Sequence, residues 1–105
     1  MELVHVTANQ AAILAQLGEP LQLLLAPADS PLGRRVSFLL ERSWQRTSIY
    51  AYFLPPSPED HELPFIRQLG ITQLPELRCY QADRTVVRHV GVQAIATFAA
   101  GSSSR

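Results

Sequence analysis

The side chain best suited to nucleophilic or redox chemistry is Cys79, the only cysteine in the chain. A lone cysteine excludes an intramolecular disulfide and a zinc site built from several cysteines. Cys79 follows Leu77 by two residues in a predicted strand, so both side chains belong to one face of the sheet. We therefore expect a buried, unreactive thiol. A single-thiol enzyme that uses Cys79 is the alternative.

Asp29 and Ser30 offer an acid and a hydroxyl nucleophile, but no histidine lies near them in the sequence to act as a base. Capping of a helix that begins at the next residue accounts for both side chains. The histidines at positions 5, 61 and 89 do not have the spacing of metal ligands. We therefore expect no catalytic residue, no metal and no cofactor.

The charge of the chain argues against nucleic acid as a partner. Nine acidic residues balance nine basic residues, so the formal net charge is zero. Binding to phosphate backbones needs a surplus of basic side chains. A length of 105 residues predicts one domain, over residues 1–100, followed by a flexible tail over residues 101–105 that is rich in serine.

The N-terminal residues lack the basic region and the long apolar run of a signal peptide, so we expect none. The longest apolar run, Leu23 to Pro27, is far too short to cross a membrane. A single cysteine fits a reducing compartment. These features predict a cytoplasmic protein without membrane contact.

Three strand–helix units make up the first part of the chain. Thr7 and Gln10 form a capping-box pattern before the first helix, and Ser30 with Pro31 begins the second. Pro64 interrupts the third helix, so we expect either a kink or two short helical pieces, finishing at Gly70. Predicted strands cover Leu3–Val6, Leu21–Ala26 and Ser48–Leu54, and the predicted buried stripe of the second helix is Leu32, Val36, Leu39, Leu40 and Trp44.

Two further strands and a helix follow. Leu77–Gln81 and Thr85–Val90 are joined by a turn short enough for a hairpin, and Gln93–Ala100 forms a final helix. The order is βαβαβα and then ββα. Crossover helices require parallel strands in the first part, and the hairpin is antiparallel. The fold class is therefore α/β, with a central mixed sheet flanked by helices.

Charged residues occupy one face of the last two strands. Glu76, Arg78 and Tyr80 share a face of the fourth strand, and Arg88 joins them from the fifth. The short final helix is expected to leave part of the sheet uncovered. This face is then a binding surface, or else Arg78 only extends its charge to the margin of the sheet.

The segment Gly70-Ile71-Thr72-Gln73-Leu74-Pro75-Glu76-Leu77 resembles the loop and strand that carry the cis-proline of thioredoxins. The order of elements is also that of thioredoxins, and the resemblance spans roughly residues 1–100. It implies a thioredoxin-like fold with a cis Leu74–Pro75 bond. It also implies a groove beside Pro75, where Leu74 offers backbone groups to an extended peptide.

The resemblance also implies lost redox chemistry. Thioredoxins carry a Cys-x-x-Cys motif at the start of the second helix, and the matching positions here read Asp29-Ser30-Pro31-Leu32. Thiol–disulfide exchange needs both sulfurs, one to attack and one to resolve the mixed disulfide. The family's buried acid matches Leu23, and its tryptophan before the motif matches Ala28. We expect a redox-inactive protein that is not an enzyme.

A thioredoxin-like chain without the dithiol is expected to act by binding another protein, as an adaptor, an assembly chaperone or a regulatory domain. It is similar in this sense to hydrogenase-maturation chaperones of the HyaE/HupG type. A circadian-clock interaction domain of the KaiB/SasA type is an alternative. The expected binding residues are Leu74, Pro75, Glu76, Arg78 and Arg88.

Overall fold

Strands and helices alternate in the predicted order. A computed structural model describes residues 2–43 and 48–103, so Trp44 of the predicted stripe lies outside the described residues. The elements are β1 (Leu3–His5), α1 (Ala8–Gln16), β2 (Leu21–Pro27), α2 (Pro31–Ser43), β3 (Ile49–Leu54), a 3₁₀ turn (Asp60–Glu62), α3 (Leu63–Leu69), β4 (Glu76–Tyr80), β5 (Val86–Val90) and α4 (Val92–Ser103).

The strands form one mixed sheet in the order β1-β3-β2-β4-β5. β3 pairs in parallel with β1 and with β2, as helical crossovers require. β4 pairs antiparallel with β2 and with β5. The predicted α/β class with a central mixed sheet is confirmed, and β1 and β5 are its edge strands.

Local sequence signals set the helix boundaries. The Thr7 hydroxyl accepts a hydrogen bond from the Gln10 backbone N–H at 3.2 Å, and the Gln10 side chain accepts one from the Thr7 N–H at 2.9 Å. Pro64 sits in the first turn of α3, which follows the 3₁₀ turn as a separate short piece. Gly70 ends α3 with a left-handed φ of 63°, a conformation that glycine adopts without steric cost.

The core has two layers, one on each face of the sheet. α2 and α4 cover the face that carries Leu24, Leu77 and Cys79, and Leu40 and Ile95 are buried there. α1 and α3 cover the other face, where the buried residues are Ala8, Ala11, Leu21, Leu23, Leu25, Tyr52 and Leu69. The alternation of Leu23, Leu24 and Leu25 between the layers explains why β2 is continuously apolar.

Two predictions about the helices are wrong. α4 has twelve residues and runs beyond Ala100 to Ser103, so it is not a short helix that leaves the sheet open. Leu32 is exposed, because the buried side of α2 is centred on Gly33, Val36 and Leu40, and Leu32 lies at its margin in the first turn. Arg34, Arg35, Glu41 and Arg42 are exposed on the opposite side of α2.

None of the helices within residues 2–43 and 48–103 combines the length and the apolar character that crossing a bilayer requires.

Candidate functional site

The turn before α2 and the proline loop before β4 meet at one end of the sheet. β2 ends at Pro27, and Glu76, the first residue of β4, pairs with Leu25 two residues earlier. The chain therefore leaves β2 and enters β4 at the same end of the sheet. Asp29 and Pro75 lie in these two connections, so the fold brings both parts of the thioredoxin-like pattern to one region.

The start of α2 is held by backbone contacts. Ser30 Oγ accepts a hydrogen bond from the Gly33 N–H at 3.0 Å and donates one to the Pro27 carbonyl at 3.2 Å. A Cβ atom at Gly33 would lie 2.3 Å from the Pro27 carbonyl oxygen, so the close approach of α2 to β2 requires glycine. Asp29 is exposed in the turn, with a φ of 50°. Capping by Ser30 is confirmed.

A cavity of about 450 Å³ opens beside this turn, between α2, β1 and β3. His5 stacks on Phe53 along its wall, with ring centroids 5.2 Å apart. Phe38 also lines it and is 62% exposed, with the Arg42 guanidinium 5.3 Å from its ring centroid. This aromatic surface was not predicted from the sequence. The only signal was that Phe38 falls outside the predicted buried stripe.

The Leu74–Pro75 peptide bond is cis, the geometry that the resemblance predicts. Pro75 is buried, and its carbonyl accepts a hydrogen bond from the Gly91 N–H at 2.8 Å. Leu74 is half-buried and packs its side chain against the core layer under α1 and α3. This loop is therefore tied to the connection between β5 and α4 as well as to the core.

Glu76 and Arg78 do not form an open polar face, and that prediction is wrong. Both are only 2% exposed, because α1 and α3 cover this side of the sheet. Arg78 Nε donates to Glu76 Oε1 at 3.1 Å, and the two Nη atoms donate to the Leu69 carbonyl and, at 3.1 Å, to the Gly70 carbonyl. Arg78 thus binds the last carbonyls of α3, which a helix end leaves unpaired.

Arg88 completes this charged cluster at the surface. It lies opposite Arg78 in the β4–β5 ladder, and its Nε is 3.7 Å from Glu76 Oε2. About half of its side chain is exposed, at 51%. The structure therefore brings together Glu76, Arg78 and Arg88, as the sequence predicts, but leaves only Arg88 accessible. Pro75 connects to this cluster through the chain, since Glu76 follows it directly.

A groove that was not predicted from the sequence runs between α1 and the β4–β5 hairpin. It consists of two adjoining cavities of about 300 and 210 Å³, which share Ala15, Gln16, Tyr80 and Val86. The small side chains of α1 leave this space. The described residues that complete the lining include Arg78, Arg84 and Arg88 but no acidic residue; they also include Ala12, Gly18, Gln68, Leu69 and Gln81.

Three solved structures with the same arrangement are thioredoxins or contain one. A chain of the crystal structure of the ferredoxin:thioredoxin reductase and thioredoxin f2 complex superimposes with a TM-score of 0.67 at 14% identity, over 99% of this chain and 96% of that chain. Thioredoxin O1 from Arabidopsis thaliana, in its oxidised state, gives 0.61 at 21% identity over 87% and 86%. This chain has a thioredoxin fold.

The oxidised thioredoxin from Plasmodium falciparum also shares the fold, with a TM-score of 0.59 at 12% identity over 98% of both chains. No protein-family model matches this chain, and no curated protein matches it. The predicted thioredoxin-like fold is confirmed by these structures.

The one thiol of this thioredoxin fold lies in its interior. Cys79 is buried on β4, in the core layer under α2 and α4. Burial raises the pKa of the Cys79 thiol to about 11, because the thiolate would lose its hydration. At neutral pH this thiol is protonated, which is the unreactive form.

Metal chemistry has no evident position in the described part of the fold. Within residues 2–43 and 48–103, no three His, Cys, Asp or Glu side chains lie close enough together to hold an ion. Exposed aromatic and aliphatic side chains and guanidinium groups lie at this end of the sheet, and such groups commonly contribute to binding.

Proposed function

We propose that this chain is a thioredoxin-like module that does not catalyse thiol–disulfide exchange and that acts by binding another protein. One observation carries the proposal. The turn that begins α2 presents Asp29 and Leu32, both exposed, and the only cysteine of the chain is buried elsewhere, on β4. Exchange requires an attacking and a resolving thiol at an accessible site.

Exposed apolar side chains on α2 and on β5 support the binding part of the proposal. Phe38 stays largely in water on the outer side of α2, where a helix of an isolated domain normally carries polar residues. Three valines of the edge strand β5 are also exposed: Val86, Val87 and Val90. Aromatic and aliphatic groups at the surface favour contact with a protein partner.

The finer roles belong to the same proposal. An adaptor, an assembly chaperone of the HyaE/HupG type or a regulatory domain each needs a stable fold and a docking surface, and none needs a thiol. A KaiB/SasA-like clock domain is the alternative within this class. A cytoplasmic location is part of the proposal, because the one thiol of the chain is buried and cannot form an intramolecular disulfide, which fits a reducing compartment.

Reduction of insulin by dithiothreitol tests the absence of exchange chemistry. With this protein the reaction is expected to run at the rate of dithiothreitol alone, and an authentic thioredoxin serves as the positive control. Turnover above the rate of dithiothreitol alone that disappears in Cys79→Ala, which removes the only thiol of the chain, would overturn the proposal in favour of a single-thiol enzyme.

A further inference from the structure

The edge strand β5 lacks the usual protection against pairing with another chain. It is the last strand of the described sheet, so its outer side faces away from β4. Edge strands are commonly protected by several charges, by proline or by bulges. β5 instead carries three exposed valines, Val86 at 36%, Val87 at 46% and Val90 at 41%, and a single charged residue, Arg88.

The ladder shows which backbone groups face outward. The Gln81 N–H donates to the Thr85 carbonyl at 2.9 Å, and the Gly91 N–H donates to the Pro75 carbonyl at 2.8 Å. Hydrogen-bonded and non-hydrogen-bonded pairs alternate in an antiparallel ladder. Val87 and His89 therefore bond to β4, and the N–H and C=O groups of three alternate residues point to the open edge: Val86, Arg88 and Val90.

The same three residues present their side chains on the groove side of the sheet. Val86, Arg88 and Val90 pair with Tyr80, Arg78 and Glu76, so they share that face. Arg88 lies between the two valines and lines the groove with Arg78 and Arg84. Arg78 and Glu76 are buried and paired with each other, and the Asp83 carboxylate accepts a hydrogen bond from Thr85, so the exposed charges that line the groove are those of Arg84 and Arg88. The surface beside the edge is therefore basic with apolar flanks.

We propose that β5 binds an extended acidic segment of a partner protein as an additional antiparallel strand. In this complex a carboxylate side chain of the segment lies opposite Arg88, and apolar side chains lie opposite Val86 and Val90. Main-chain hydrogen bonds supply affinity, and the alternate side chains supply specificity. The inference deepens the proposed function, because it assigns the docking surface and the chemistry of the partner.

A second copy of this chain fits the edge less well. An antiparallel pairing that matched Val86 with Val90 of the second copy would place the two Arg88 side chains opposite each other. Like charges at directly opposed positions destabilise a pair of strands. Charge complementarity therefore favours an acidic segment over a symmetric dimer.

A capped heptapeptide, Ser-Val-Thr-Glu-Thr-Val-Ser, carries the predicted pattern and is the probe for this site. Fluorescence anisotropy of its labelled form should give saturable binding with a Kd on the order of 0.1 mM, because the interface is small. A peptide with lysine in place of the central glutamate should bind roughly tenfold more weakly. Arg88→Glu should reverse this preference, and Arg35→Glu, at an exposed position of the distant helix α2, should leave it unchanged.

N-methylation of the peptide tests the strand itself with the wild-type protein, so the result does not depend on how Arg88→Glu folds. A methyl group on the glutamate nitrogen removes a donor that faces β5 and should abolish binding. A methyl group on either threonine nitrogen, which faces away, should change affinity by less than about threefold. Equal loss at all three nitrogens would overturn strand addition.

Two other results would also overturn the inference. One is the absence of saturable binding up to about 1 mM peptide. The other is equal binding of the glutamate and lysine peptides, since Arg88 would then have no role in selection. In either case a protein that is inert in the insulin assay retains its proposed function, and only the docking surface assigned to β5 is wrong.

Discussion

Arg78 and Arg88 lie directly opposite each other on β4 and β5, although both are cations. Such a pair is repulsive by itself. Glu76 offsets the repulsion, because one carboxylate oxygen lies 3.1 Å from Arg78 Nε and the other 3.7 Å from Arg88 Nε. Arg78 also binds the carbonyls of Leu69 and Gly70. The buried Glu76 carboxylate thus links β4 to β5, and Arg78 extends this network to the end of α3.

Replacing Glu76 with glutamine is expected to lower the free energy of unfolding by about 3 kcal/mol, because it leaves two opposed guanidinium groups without their counter-charge. Urea unfolding measures the change. Adding Arg88→Gln to Glu76→Gln should recover part of the loss, since it removes the repulsion. Glu41→Gln, on the exposed side of α2, is the matched control and should change stability by less than about 0.5 kcal/mol. A Glu76→Gln variant as stable as its control would contradict this account of the cluster.

Gly33→Ala is expected to destabilise the fold by about 2–3 kcal/mol, because the added methyl group would overlap a backbone oxygen and push α2 away from β2. The space is limited by the Pro27 carbonyl oxygen, 2.3 Å from the position of the new Cβ. Gly101→Ala is the control, since nothing lies within 4 Å of its Cβ in α4, and it should be neutral or stabilising by up to about 1 kcal/mol. Thermal unfolding compares the two variants, and equal effects would refute the close contact.

Stability should decrease in alkaline solution because of Cys79. Its folded-state pKa is raised from an ordinary 9.0 to about 11 by burial. The protonated thiol therefore contributes stability that is fully present below about pH 9 and is lost as the pH rises through 11. The loss amounts to about 2–3 kcal/mol. Burial, and to a lesser extent Glu62, also raises the pKa of Tyr52, which adds to the loss in the same direction.

Unfolding in urea at a series of pH values between about 8 and 11 measures this dependence. Cys79→Ala should unfold with a shallower decline, and the remaining slope should reflect Tyr52. If wild type and Cys79→Ala decline in parallel, the thiol is not buried in the folded state.

Local signals made the order of elements predictable. The pair Thr7 and Gln10, the placement of Ser30 and Pro31, and Gly70 each act within one helical turn, so sequence alone reveals them. The cis Leu74–Pro75 bond followed from the thioredoxin-like pattern around it. The start of α4 was placed within one residue, but its end was not, because Gly101 continues the helix where a glycine commonly ends one.

Non-local contacts were not predictable. An arginine in a strand is normally expected at the surface. Arg78 is buried because α3 lies over this face of β4, and the carbonyls at the end of α3 accept hydrogen bonds from its guanidinium group. The arginine-lined groove exists because small side chains of α1, such as Ala12 and Ala15, leave space beside the hairpin. The position of α1 relative to the hairpin is a tertiary contact that the local sequence does not reveal. The register of β4 with β5 was implied by the short turn, and it correctly placed Arg88 near Arg78.

The reactivity of Cys79 in the native state tests most directly the central claim of a thioredoxin fold without accessible thiol chemistry. Labelling with a thiol-specific reagent at neutral pH should be at least about 100-fold slower in the folded protein than in urea, because the raised pKa reduces the thiolate fraction and burial excludes the reagent. Labelling of the folded protein at the rate of the unfolded chain would contradict the claim and identify Cys79 as an accessible nucleophile.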